Sequence, residues 1–265
     1  MVQRVNQFET DSKNRAAPPS AGDAQVIELQ RANGSAAQAI RLGFAPSRQP
    51  PGNRPRRAVF IDKDGTLVED VPYNVDPALL RLRPGATAAL RRLAAAGFLL
   101  IVVSNQPGIA LQRFDRRALH GLALALTNQL AAAGVTLAGF YACPHAPVPE
   151  PDEKGCRCRK PAAGMLHQAA RDHRIDLGMS WMVGDILDDV EAGWRAGCGS
   201  VLLDVGNETE WRWSPIRIPD FRVNDLPSAA DAILSSQALP RGHVLLRRPT
   251  IRRPGEAAAR QRKAA

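Results

Sequence analysis

The stretch RAVFIDKDGT, residues 57–66, decides the fold. Its first six residues form a short apolar run that closes on Asp62, and Gly65 follows as a turn signal. Residues 57–62 therefore read as a buried strand with two acids at its carboxyl end. The same design recurs down the chain. Strand-like runs at 98–105 (FLLIVVSN), 137–143 (LAGFYAC), 180–185 (SWMVGD) and 199–205 (GSVLLDV) alternate with helical patterns over 84–97, 115–134, 162–174, 187–197 and 226–234. Asp115 is placed to cap the second helix, and glycines at 97 and 197 close the first and fourth. This alternation predicts an α/β fold: a doubly wound, Rossmann-like parallel sheet. In such sheets ligands sit beyond the carboxyl ends of the strands.

The chain has 265 residues, 45% of them hydrophobic, enough for one sizeable core. Its formal charge of +9 invites a nucleic-acid reading, but the charge is unevenly placed. Residues 1–55 carry seven Lys/Arg against four Asp/Glu and residues 239–265 eight against one, which leaves 56–238 near −1. Residues 1–55, rich in Pro, Gly, Ser and Ala, are expected to be a mostly disordered extension with a short element near 24–31. Residues 56–238 are expected to form the folded domain, and 239–265 a basic, disordered tail. The N-terminus MVQRVNQFETDSKNR has no apolar leader, and no apolar run is long enough to span a bilayer. A cytoplasmic monomer without membrane contact is the expectation.

The strand ends carry chemistry. The first closes on Asp62-Lys63-Asp64-Gly65-Thr66, the second on Ser104-Asn105-Gln106 and the fourth on Gly184-Asp185, with Asp188 and Asp189 a turn later, while Lys160 precedes the third helix. Acids, a hydroxyl, an amide and an ammonium on one rim suit phosphoryl transfer. Asp62 can attack phosphorus, and Asp64, on the same side of the extended chain, can serve as general acid and base. Asp62, Asp64 and Asp185 call for a hard divalent cation, which fits Mg²⁺. Ser104 and Lys160 can hold the oxygens of the transferring group, with Asn105 and Gln106 beside them to bind substrate.

Three of the four cysteines fall in CPHAPVPEPDEKGCRCRKP, residues 143–161. Cys143, His145, Cys156 and Cys158 form a complete tetrahedral donor set for a structural Zn²⁺. A redox C-x-C pair is the competing reading, disfavoured for a chain expected in a reducing compartment. A metal clamp on this Pro- and charge-rich loop would fix how Arg159 and Lys160 enter the site. Cys198 reads as a small core residue.

In order and placement, DKDGT, VSNQ, RKP and GDILDD resemble the four motifs of the haloacid dehalogenase (HAD) superfamily over residues 57–235. With CPH and CRCRKP, the chain resembles the branch containing heptose bisphosphate phosphatases and histidinol-phosphatases. That resemblance implies Asp62 as nucleophile, Asp64 as acid/base, and Mg²⁺ held by the Asp62 carboxylate, the Asp64 main-chain carbonyl and Asp185. Many HAD enzymes insert a cap domain between motifs, and neither 62–104 nor 105–160 has room for one. The zinc loop and EDVPYN (69–74) are then the walls, with Asp70 and Tyr73 contacting the sugar and Arg159 a second phosphate.

The chain departs from these relatives at Ile186, where a basic residue is usual, at Leu111-Gln112 in place of Arg-Gly, and at Pro107 in place of Ser. The expected substrate is a small sugar phosphate, first a heptose 1,7-bisphosphate and then histidinol phosphate. A nucleic-acid module, or a polynucleotide 3′-phosphatase using the basic tails, is disfavoured by the near-neutral middle of the chain and its few aromatics. A phosphomutase is disfavoured because an uncapped site admits water.

Overall fold

A computed structural model describes residues 39–42, 55–147 and 155–236 of the chain. Seven strands are present among them: β1 (Ile40–Leu42), β2 (Ala58–Ile61), β3 (Leu99–Asn105), β4 (Gly139–Cys143), β5 (Trp181–Gly184), β6 (Gly199–Leu203) and β7 (Phe221–Val223). The helices are α1 (Ala86–Ala95), α2 (Arg116–Ala132), α3 (Gly164–His173), α4 (Leu187–Ala196) and α5 (Leu226–Ser236). The sheet runs β1-β4-β3-β2-β5-β6-β7, with every pair parallel except β1 on β4.

The order follows from burial on both faces. All four residues of β2 are fully buried, as are Leu100 to Ser104 of β3. Such runs satisfy their backbone only by pairing on both edges and lose their apolar surface only under helices on both faces. Ala58 and Phe60 of β2 share one core cluster with Ile101 and Val103 of β3, Met165 and Leu166 of α3 and Ala192 of α4. Val59, Ile61, Leu100 and Val102 alternate to the other face and are equally buried. Burying each such side chain stabilises the fold by roughly 1.5–3 kcal/mol before chain entropy is counted. The chain leaves β2 toward β3 and β4, then returns to β2's other edge with β5. The carboxyl end of β2 is thus the topological switch point, where a crevice opens.

The predicted helices and central strands form within a few residues of their expected bounds, and the Asp115 carboxylate caps α2 by accepting from the Ala118 amide at 2.8 Å. Two edge strands go beyond the sequence expectation. β7 is only three residues long, and β1 lies in the segment expected to be mostly disordered. Ile40 and Leu42 of β1 are buried, and Arg41 reaches the Asp172 carboxylate at 3.7 Å. The sheet therefore begins before residue 56. The expected element near 24–31, the rest of the N-terminal segment and the basic tail lie outside the described residues, as do 148–154 of the cysteine loop.

Candidate active site

The switch point gathers three carboxylates. Asp62 follows β2, Asp185 follows β5 and Asp189 lies in the first turn of α4. One carboxylate oxygen from each falls within 4.8 Å of the others, and all three residues are buried. The Asp62 amide is tied to Val183 O at 2.9 Å, which locks the ends of β2 and β5 together. Thr66 Oγ1 donates to Asp185 Oδ1 at 2.8 Å, and Asn207 Nδ2 to Asp185 Oδ2 at 2.7 Å.

Lys160 is the counter-charge. Its fully buried ammonium pairs with Asp62, contacts Asp189 Oδ1 at 2.6 Å and donates to Val103 O at 3.2 Å. Its backbone is held by Asn105, whose Oδ1 accepts from the Lys160 amide at 3.0 Å and whose Nδ2 donates to Lys160 O at 3.1 Å. The Lys160–Pro161 peptide is cis.

Three acids face one ammonium, and burial is the first influence on their titration. Burial pushes the Asp62 carboxyl well above its ordinary value; Lys160 opposes the shift, while Asp189, Asp185 and Asp64 add to it. Burial likewise raises Asp189 to about 6 against the pull of Lys160. For Lys160, burial alone would lower the pKa, but Asp189 and Asp62 outweigh it and hold the ammonium charged. A buried acid trio with excess negative charge and rigid oxygens has the donor chemistry of a hard divalent cation site.

Asp64 sits at the mouth, pairing with Lys63 and accepting from Gln106 Nε2 at 2.9 Å. The same Gln106 amide donates to Ser104 Oγ at 2.8 Å, so one side chain orients both the expected acid/base and the expected phosphate-holding hydroxyl. Asp70 is on the exposed loop beyond. Its carboxyl is raised first by burial and then by the charges of Asp64 and Asp185, which places it within electrostatic reach of the cluster. Tyr73 is exposed, with the Arg113 guanidinium 5.8 Å from its ring centre. Among the described residues no contact ties Tyr73 to the acids. A separate surface cavity of about 480 Å³ is lined by Ile109, Gln112, Phe114, Asp115 and Arg116, and by none of Asp62, Asp64, Asp185 and Asp189.

The four cysteine-loop side chains lie together. The Cys143, Cys156 and Cys158 sulfurs lie 3.3–3.5 Å apart, and His145 Nδ1 is 3.4 Å from Cys143 Sγ and 3.2 Å from Cys158 Sγ. The hydrogen bond from Cys158 is the main cause that lowers Cys143 to about 5, against the effect of burial. Four soft donors converging on one point fit a metal ion. The Arg159 amide faces Cys156 Sγ at 3.4 Å, and the Arg159 guanidinium reaches His145 O at 3.4 Å. Arg159 is therefore bound to the cysteine loop, and Lys160 is next in the chain.

The sequence places Asp188 and Asp189 together on the rim a turn after Asp185 without separating them, and it does not single out Asn207. Asp188 and Asp189 are adjacent acids about 100° apart around α4. Asp188 turns out to Arg217 at 2.8 Å, and Asp189 turns in. The available signal was its position at the third residue of the helix, where an acid reaches back to the capping amide: Asp189 Oδ2 accepts from Ile186 N at 3.3 Å. Its close approach also requires Gly184, since a Cβ there would sit 2.1 Å from Asp189 Cγ. Asn207 carries no local signal at all.

Comparison with known proteins places the chain among phosphatases. Residues 157–229 match the HAD-hydrolase-like family model. The chain is 38% identical over 193 residues to the D-glycero-D-manno-heptose-1,7-bisphosphate 7-phosphatase of Thermosynechococcus vestitus, covering 69% of this chain and 98% of the relative. It is 40% identical over 149 residues to the D-glycero-beta-D-manno-heptose-1,7-bisphosphate 7-phosphatase of Yersinia pestis, covering 55% and 79%. Among solved structures, the D,D-heptose 1,7-bisphosphate phosphatase of B. bronchiseptica, complexed with magnesium and phosphate, superposes with a TM-score of 0.57 at 28% identity, covering 68% of this chain and 99% of that one. A HAD-like phosphatase from Mesorhizobium loti gives 0.61 at 31% identity, covering 75% and 94%.

Proposed function

The chain belongs to the HAD-like phosphatases, in the family of the heptose 1,7-bisphosphate 7-phosphatases, and on that premise we propose how its own residues carry out phosphate removal. It is a phosphoric monoester hydrolase, and its substrate is a D-glycero-D-manno-heptose 1,7-bisphosphate that loses the 7-phosphate. The observation that carries this reading is the buried Asp62–Asp185–Asp189 trio with Lys160 at the switch point of the sheet.

Asp62 is the nucleophile. One of its carboxylate oxygens bonds to phosphorus as the sugar oxygen leaves, giving an aspartyl-phosphate, and water then displaces the phosphate from Asp62. Asp64, more open to solvent and oriented by Gln106, gives a proton to the leaving oxygen and later takes one from water. Lys160 and Ser104 hold the phosphoryl oxygens. A bound Mg²⁺ would be held by Asp62, Asp185 and the Asp64 carbonyl, where it supplies charge neutralisation and keeps the Asp62 carboxyl ionised despite burial. Asp189 supports Lys160 from behind. Asp70, Tyr73 and Arg159 face the rest of the substrate, while Asn105, its side-chain amide taken up by the Lys160 main chain, orients that lysine.

The Cys143/His145/Cys156/Cys158 set holds Zn²⁺ as a structural ion. The chain fills all four tetrahedral positions, so none is left for a reacting water. Zinc there fixes Arg159 and, through it, the approach of Lys160.

Phosphate release with Mg²⁺ from both heptose 1,7-bisphosphate anomers, histidinol phosphate, hexose bisphosphates and a 3′-phosphorylated oligonucleotide tests the substrate. A kcat/KM of about 10⁵ M⁻¹s⁻¹ or more on one heptose anomer is expected. Uniformly feeble turnover across the panel would show that the pocket has been remade around Ile186 for another phosphate ester.

A further inference from the structure

The loop after β6 reaches the acid trio although it carries none of the sequence motifs. Asn207 Nδ2 donates to Asp185 Oδ2 at 2.7 Å, while the next residue, Glu208, accepts from the Leu187 amide at 2.8 Å. The first contact touches the carboxylate. The second fastens the loop to the start of α4, the same helix that supplies Asp189. Thr66 Oγ1 occupies the other Asp185 oxygen at 2.8 Å, so each oxygen of this buried carboxylate receives one hydrogen bond from a different loop.

Gly65 makes the arrangement possible. A Cβ at this position, which has φ +82°, would lie 2.3 Å from both Asn207 Nδ2 and Asp185 Oδ2. The space left by the missing side chain is the space the amide–carboxylate pair fills.

The donor type is informative. Asp185 lies among like charges, and an untethered carboxylate there would rotate away from Asp62 and Asp189. A Lys or Arg partner would hold it but would cancel the negative charge that attracts a cation. An amide and a hydroxyl hold it and leave the charge of the cluster intact.

We infer that Asn207 is a positioning residue for Asp185: it fixes the carboxylate toward Asp62 and so sets the affinity of the rim for a divalent cation, with Glu208 anchoring its loop to the start of α4. This rests on the metal-dependent reading above. Because Asn207 is exposed on a surface loop, its replacement leaves the core untouched.

Calorimetric titration of Mg²⁺ into the metal-stripped full-length protein, run on wild type, Asn207→Ala and Asn207→Leu, tests the inference directly. Both variants are expected to bind Mg²⁺ about tenfold more weakly. The Mg²⁺ concentration for half-maximal turnover should rise in step, with kcat at saturating Mg²⁺ within about threefold of wild type. Wild-type affinity in the Ala variant would overturn the inference, as would recovery in the Leu variant, since that would mean Asn207 only fills space. If wild type itself bound no Mg²⁺, the metal-dependent function would fall along with it. Equal binding by wild type and both variants would sink only the role of Asn207.

Discussion

Two clusters of ligand-type side chains stand close together in the chain, and they are assembled by different means. The carboxylates of Asp62, Asp185 and Asp189 hang from strand ends and the first turn of a helix, with the fully paired β2, β3 and β5 behind them. Sheet hydrogen bonds and core packing hold them, at the cost of burial, and then of neighbouring carboxylates, pushing up the Asp62 and Asp189 carboxyls. The thiols of Cys156 and Cys158 arrive on a loop, and only Cys143 of the four sits on a strand. The first cluster is made by the fold, and a divalent cation would relieve its repulsion. The second is a loop cluster that a bound metal would clamp. Lys160, two residues after Cys158 and bonded to Asp62, joins them.

Substitutions at each cluster separate the two. Asp62→Asn should reduce turnover by about 10⁴-fold or more without lowering Tm, because it removes the attacking oxygen and relieves repulsion. Steady-state kinetics and a melting curve on the same preparation check both halves. Retained turnover would move the nucleophile elsewhere.

Cys156→Ser should do the reverse in emphasis. Bound zinc should fall from about one per chain toward none, and Tm should drop by about 5–10 °C, with activity declining as a consequence. Metal analysis and calorimetry measure these. Unchanged melting with full activity in a zinc-free protein would contradict the clamp.

A smaller effect is expected from pH. The Asp189 carboxyl rises from 3.8 to about 6, burial being the main cause. Between these values the folded metal-free protein keeps a proton that the unfolded chain has released. The stabilisation is therefore present below about pH 4 and lost as pH rises through about 6, a change on the order of 2–3 kcal/mol. Urea unfolding of the metal-free protein across that range should show the decline in wild type and a shallower one in Asp189→Asn. Equal slopes would remove Asp189 as its source.

What could be read in advance follows the same division. The central strands are legible because fully buried parallel strands must be continuous apolar runs, and DKDGT, VSNQ and GD mark their ends, with RKP ahead of a helix. The thiol set is legible because few chemistries need three Cys and one His so close together. β1 and β7 were missed because three residues at a sheet edge carry no period, and Ile40–Leu42 sits in a segment whose composition points away from order. Asp189 could be separated from Asp188 only by helical phase. Asn207 is 22 residues from its carboxylate, and nothing local in the sequence marks such a hydrogen bond.

The central claim is that Asp62 becomes covalently phosphorylated during turnover. Acid-quenching the protein milliseconds after mixing with substrate carrying radiolabelled phosphate, then mapping the label by peptide, tests it most directly. Transient label is expected on the peptide containing Asp62 and is expected to be absent in Asp62→Asn. Rapid phosphate release with no protein-bound label, or label on any other residue, would contradict it.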